Sequence, residues 1–400
     1  MQPISDEEIV MAENILLPAG AHFDDERRNF IRNLVTSDLQ AVPGSGKTTV
    51  LLAKLLILDK RMPFENGKGL VVISHTNIAV DEIKNRLKRH CTKIFNYPNF
   101  IGTIQSFVDE FLAIPYYVRM YGHKPIRIDN EIYDEKASRF ALPLGTRNWL
   151  DRQHNGDEIK RELRFTENDE LVKGLFGRPD DFPVGNATPT YANLRSMKSN
   201  LFSRGYLHFD DAYYLAKKYL REFPQIVTLL KNRFKFVFVD EMQDMEAHQF
   251  ELLERVFYSD NNQPIYQRIG DVNQSIYSGS GRGAVDWVAR ENSLTIRGSH
   301  RLSPQVANIV RPFGVHTDTE IVGHFNSVLP PHLLVFDANR QDSVLPTFGR
   351  LVRQYQDDET LPSRFTHPIK AIAWVAKPAE GGNLFFATLL STIQQRIESW

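Results

Sequence analysis

The sequence holds one cysteine, Cys91, in 400 residues, which excludes an internal disulfide framework and fits a reducing compartment. It has no excess charge of either sign. Forty-eight basic side chains face 49 acidic ones, for a net charge of −1, so no basic surplus advertises a polyanionic partner, although a basic groove can exist locally. It has no long apolar run. VLLAKLLIL (50–58) is broken by Lys54 and is far too short for a bilayer, and the acidic start MQPISDEEIVMAEN has none of the regions of a secretory signal. These absences make a cytoplasmic location and no membrane partner the expectation. No internal repeat or low-complexity tract is present.

With 42% hydrophobic and 24% charged residues, the chain has the composition of a globular protein with room for two or three cores. Its first hundred residues alternate strand, loop and helix. A strand ends near Val42, TTVLLAKLLIL continues as a helix, LVVIS (70–74) is a strand, a helix covers about 77–89, and FIGTI is a further strand. Such alternation predicts an α/β fold with a parallel sheet covered on both faces. From Phe111 to Arg204 the pattern loosens into what reads as an inserted, mainly helical subdomain with long loops. Strands return at FKFVFVDE, IYQRIGD and LTIR, and Ser303-Pro304 opens a helix over QVANIVRPF. A second alternating segment starts at HLLVF (332–336), passes through a helix near 345–356 to IKAIAWV (369–375), and ends in a helix. The expected divisions are therefore 1–110, 111–205, 206–330 and 331–400.

AVPGSGKTT (41–49) lies between a strand and a helix. Gly44 and Gly46 let the backbone of Pro43–Thr49 curl so that successive N–H groups, including that of Ser45, point at phosphate oxygens. Lys47 then reaches the β- and γ-phosphates, and the Thr48 hydroxyl can ligate magnesium. Ala41 stands where the motif usually has its first glycine. In VFVDEMQD (237–244), Asp240 falls at a strand end, where a carboxylate can hold Mg2+ and neighbouring Glu241 can deprotonate water.

Seven segments then occur in one order: AVPGSGKTT, SHTNIAVDEI (74–83), GTIQSF (102–107), HFDDAYYLA (208–216), DEMQD (240–244), GDVNQSIY (270–277) and SHRLSPQVANIV (299–310). This series resembles the superfamily-1 DNA helicases related to UvrD, PcrA and RecB, over residues 15–315. The resemblance implies a RecA-like P-loop domain with an inserted subdomain and the start of a second RecA-like domain. It implies ATP and Mg2+ as ligands, single-stranded or partly duplex DNA as partner, and ATP hydrolysis coupled to translocation in repair, recombination or phage defence, with a nuclease subunit as a candidate partner. Residue by residue it implies that Gln274 senses the γ-phosphate, that Arg301 contacts it, and that His300 replaces a tyrosine stacked on adenine. His75, Thr76 and Asn77 with Thr103, Ser106 and Phe107 would line the single-strand track. Phe107 taken alone reads as core, and Tyr277 reads as packing or as a coupling residue.

The sequence also departs from that family. The glutamine of its LN-x-x-Q segment is missing from FDDERRNFI (23–31); Arg27 or Arg28 either fills its space or forms a solvated helix face, the latter being the favoured reading. No TxHxxKGLE-like or VAxTRA-like segment follows, and the abrupt end inside a helix reads as truncation. Weak ATPase without processive unwinding is the expectation for this chain. The alternative reading is a nucleotide-sensing subunit of a nuclease complex without motor activity; a small-molecule P-loop kinase is disfavoured by GDVNQSIY and by the insertion.

Overall fold

The computed structural model describes residues 2–259, 261, 263–274, 287–314, 316, 320–327, 329–337 and 343–362. Tyr277, IKAIAWV and the segment expected to form a C-terminal helix lie outside these residues. The chain divides into two compact units, one formed by residues 1–299 with 314–321, the other beginning at His300.

The first unit is built on six parallel strands: β1 (Ser37–Ala41), β2 (Gly69–Ser74), β3 (Phe100–Thr103), β4 (Phe234–Val239), β5 (Ile265–Gly270) and β6 (Ser293–Ile296). Their order is β6-β1-β5-β4-β2-β3. Because side chains alternate along a strand, β2 sends Leu70 and Val72 into one core and Val71 and Ile73 into another. β4 does the same with Phe236 and Phe238 against Val237 and Val239, which explains why a strand buried on both faces reads as an unbroken apolar run.

On one face lie α1 (Asp6–Leu16), α2 (Asp25–Arg32), α3 (Lys47–Lys60) and α4 (Asn77–Leu87), sharing a core with Leu39, Ile269 and Ile296. Eleven of the fourteen residues of α3 are buried. Lys54, the interruption in its apolar run, is fully buried, and burial pushes its amine well below the usual range. Its Nζ donates to Phe30 O (2.7 Å), Asn33 O (2.6 Å) and Gln267 Oε1 (2.7 Å). Three acceptors match the three protons of an ammonium, so the cation is held by dipoles.

The opposite face carries the aromatic core of Phe107, Tyr117, Phe257 and Tyr266, covered by α5 (Phe209–Glu222) and α6 (Ala247–Phe257). The insertion has its own core of Tyr133, Leu163, Leu171, Leu194 and Met197. It is mainly helical as expected, but includes an antiparallel hairpin, Leu163–Phe165 with Leu171–Lys173, too short to show a period in sequence. Lys198 and Asp211 form a fully buried ion pair at 2.7 Å between a helix of the insertion, Pro189–Ser203, and α5.

In the second unit, α7 (Pro304–Val310) has the expected cap: Ser303 Oγ accepts from Val306 N, with Pro304 in the first turn. α8 (Val344–Asp357) forms where the sequence placed a helix. HLLVF does not form the expected strand. Leu333 and Val335 are each 87% exposed, and no described strand lies beside them to complete a ladder. Among the described residues, no helix is long and apolar enough to cross a membrane.

Candidate nucleotide and nucleic-acid site

In a parallel α/β sheet, the loops leaving the carboxyl ends of the strands collect on one edge, and the candidate residues fall there. β1 runs into the glycine loop. Gly44 and Gly46 have φ of +71° and +81°, the left-handed region closed to most side chains, and Gly46 caps the N-terminus of α3. The loop thus ends at the positive pole of a fourteen-residue helix, a fit for an anion. Lys47 is 8% exposed, with Nζ 4.0 Å from Asp271 Oδ2. Thr48 and Thr49 are half-buried, and Thr49 Oγ1 accepts from Arg86 at 3.3 Å.

Asp240 follows β4, its N–H donating to Ile73 O at 2.8 Å, and is 1% exposed. Burial and the neighbouring Glu241 push its carboxyl up to about 7, opposed by a hydrogen bond from Glu241 N and by Lys47. A buried carboxylate short of positive charge at a strand end fits a divalent cation, and the Thr48 hydroxyl stands at the start of α3 as a second oxygen donor. Burial and Glu241 also raise Asp244; burial raises Asp271, opposed by Lys47. The one lysine charge therefore acts on three carboxyls.

Glu241 is the chain's one αL residue in this loop, at φ 53° and ψ 48°. Gln243, absent from the sequence-derived site, spans from it to the next strand: its Nε2 donates to Glu241 Oε2 at 2.6 Å, and its Oε1 accepts from Asp271 N at 3.0 Å. Gly270 leaves room for this link, since a Cβ there would stand 2.7 Å from Gln243 Oε1. Gln274 lies one turn beyond Asp271, and its side chain hydrogen-bonds to that carboxyl.

The neighbouring strands β2 and β3 end side by side, with Ser74 opposite Thr103. Thr76 and Asn77 are exposed, His75 is half-buried, and Thr76 Oγ1 caps α4. Thr103 Oγ1 and Ser106 Oγ are 2.8 Å apart. Phe107 does not join this surface. It is fully buried, with ring centroids 5.7, 4.9 and 5.3 Å from Phe100, Phe111 and Phe257, because it faces inward from its short helix.

Arg27 departs from the favoured reading of a solvated helix face: it is 3% exposed and lies against the glycine loop. Arg28 is partly buried and donates to Glu13 Oε1 at 2.8 Å. His300 and Arg301 open the second unit, and both are exposed.

Residues 26–284 match the family model described as UvrD/REP helicase N-terminal domain. The chain is 25% identical over 284 residues to a "Probable DNA helicase II homolog" of Mycoplasma capricolum, covering 68% of this chain and 37% of that protein. It is 25% identical over 254 residues to "ATP-dependent DNA helicase Rep" of Buchnera aphidicola, covering 60% and 35%. With the mitochondrial "ATP-dependent DNA helicase HMI1" of Saccharomyces cerevisiae it shares 24% over 373 residues, 84% of this chain and 49% of the other. The chain thus spans about a third to a half of the length of these relatives. Its match covers the glycine loop, the DEMQD turn and the strand-end carboxylates together, and the chain belongs to the UvrD/REP helicase N-terminal domain family.

Proposed function

We propose that this chain binds ATP with Mg2+ at the glycine loop, hydrolyses it, and couples hydrolysis to movement on single-stranded or partly duplex DNA. The observation that carries the reading is the gathering of Lys47, Asp240, Glu241 and Asp271 at one sheet edge, with the lysine charge acting on Asp240 and Asp271. The names of the relatives, "DNA helicase II homolog" and "ATP-dependent DNA helicase Rep", support the choice of substrate and partner.

In this reading the N–H groups of Gly44 and of Gly46 to Thr49 receive the phosphates, Ser45 N being turned back to Val42 O at 3.1 Å, and Lys47 leaves Asp271 for the β- and γ-phosphates. Thr48 and Asp240 would hold magnesium, which supplies charge to phosphate oxygens as the leaving group separates. Glu241 takes the proton of the attacking water, and Gln274 orients that water. Arg301 supplies positive charge to the γ-phosphate, and His300 stacks on the base, the roles that the family resemblance implies for them. His75, Thr76, Asn77, Thr103 and Ser106 form the strand-contacting edge. Such an activity serves DNA repair, recombination or phage defence, alone or beside a nuclease subunit.

The test is ATPase rate with and without single-stranded DNA, for the wild type, Lys47→Ala and Glu241→Gln. DNA-stimulated hydrolysis lost in both variants is expected. Tight ATP binding with no DNA effect would replace this reading with that of a nucleotide-sensing subunit.

A further inference from the structure

A loop that offers its amides to an anion must place its carbonyls elsewhere. Here they have dedicated partners. Arg27 donates to Ser45 O through Nε at 3.0 Å and Nη2 at 2.8 Å, and the same Nη2 donates to Gly298 O at 2.7 Å. Its Nη1 pairs with Asp24. Ser299, fully buried, donates Oγ to Pro43 O at 2.7 Å. The segment carrying Gly298 and Ser299 is itself strapped down, by Val42 N to Ile296 O at 3.1 Å and by Arg297 N to Glu26 Oε2 at 2.8 Å.

A trans peptide is planar, with its C=O and the following N–H pointing in opposite directions. Holding the Ser45 carbonyl therefore sets the direction of the Gly46 N–H, and holding the Pro43 carbonyl sets that of the Gly44 N–H. These two glycines have the positive φ values, so the planes beside them have the greatest freedom to turn if nothing holds them. The clamped carbonyls lie immediately before the two residues whose backbones need fixing most.

We propose that Arg27 and Ser299 are positioning residues that aim the Gly44 and Gly46 amides at a polyphosphate by clamping the carbonyls on the reverse side of the loop. The inference rests on the reading that the loop binds triphosphate. It assigns a role to two side chains that hold the loop's carbonyls, and ties the phosphate cradle to the strap at 296–299. Preorganised amides cost no rearrangement when the anion arrives, so their effect is on affinity for phosphate, whatever base is attached.

The experiment measures affinity of the full chain for Mg-ATP and for inorganic tripolyphosphate, in the wild type, Ser299→Ala, Arg27→Lys, Arg27→Met and Lys47→Ala. Ser299→Ala, a small change expected to fold, should weaken both ligands about three- to tenfold, the range of one net hydrogen bond. Arg27→Met should weaken both more, and Arg27→Lys, which restores a donor but not the fork, should fall between. A simple packing role would lower the melting temperature and leave tripolyphosphate affinity unchanged. Folded Ser299→Ala and Arg27→Lys proteins with wild-type affinity for tripolyphosphate, beside a Lys47→Ala protein that has lost it, would overturn this inference alone. Unchanged affinity in Lys47→Ala as well would overturn the triphosphate reading and the inference with it.

Discussion

Replacing Gln243 by leucine is expected to slow ATP turnover while leaving nucleotide affinity nearly intact. The bonds of the glutamine include one to Glu241 Oε2 at 2.6 Å and one from Asp271 N at 3.0 Å. The first involves a carboxylate, and hydrogen bonds to charged groups contribute about 1.5–3 kcal/mol. If that bond serves to aim Glu241 at water, its loss falls on the transition state and lowers kcat by about 10- to 150-fold. The second leaves a buried amide unpaired, at a cost of about 1–3 kcal/mol of stability. Gln243→Glu separates the two effects. It keeps the acceptor for Asp271 N but places a carboxylate against Glu241, and two carboxylates in contact do not both ionise readily. Its acid limb of activity should therefore move to higher pH, with rate recovering as pH rises, while Gln243→Leu stays slow throughout. Single-turnover phosphate release across pH, alongside fluorescent-nucleotide binding, makes the measurement. Wild-type rates in both variants at every pH would refute the reasoning, as would a loss of affinity equal to the loss of rate.

Three further outcomes follow from buried groups. Asp240 is raised from 3.8 to about 7, so between those values the folded chain binds more protons than the unfolded one, and stability falls as pH rises through that window; without Mg2+, Asp240→Asn should melt with the wild type near pH 4 and above it at pH 8, and equal melting at pH 8 would contradict this. Lys198→Met leaves Asp211 buried without its partner, at a cost of about 3–5 kcal/mol measurable by urea unfolding; a loss under 1 kcal/mol would show the pair to be dispensable. Phe107→Ala should cost about 3–5 kcal/mol. Phe107→Leu should keep single-stranded DNA affinity, and a stable variant with weakened DNA binding would return Phe107 to the strand track.

The parts of this fold that repeat a local rule were readable in sequence. The glycine loop between strand and helix, the cap at Ser303 and the apolar strand that ends just before Asp240 each depend on neighbours within a few positions. What failed depended on distant partners. Arg27 sits among charged residues in DDERRN and reads as solvated, yet its two carbonyl acceptors lie 18 and 271 positions away. HLLVF has the composition of a strand, but a strand needs a neighbour, and composition does not supply one. Gln243 carries no signal in the sequence, because its role comes from a turn that brings a side chain two residues from Glu241 against the backbone that follows another strand. Lys54 read as a break in an apolar run, whereas its three acceptors come from chain segments on either side of α3.

Burial on almost every side gives α3 a use as a gauge. Its amides from Leu52 to Leu58 have no frayed end or wet face through which to exchange locally, so they should exchange with solvent deuterium only when the whole first unit opens. Their rate then reports global stability in the same sample in which the loop from Val42 to Gly46 reports its own opening. The ratio of the two, followed as ligands or substitutions are introduced, separates a stiffened loop from a stabilised domain without a second experiment.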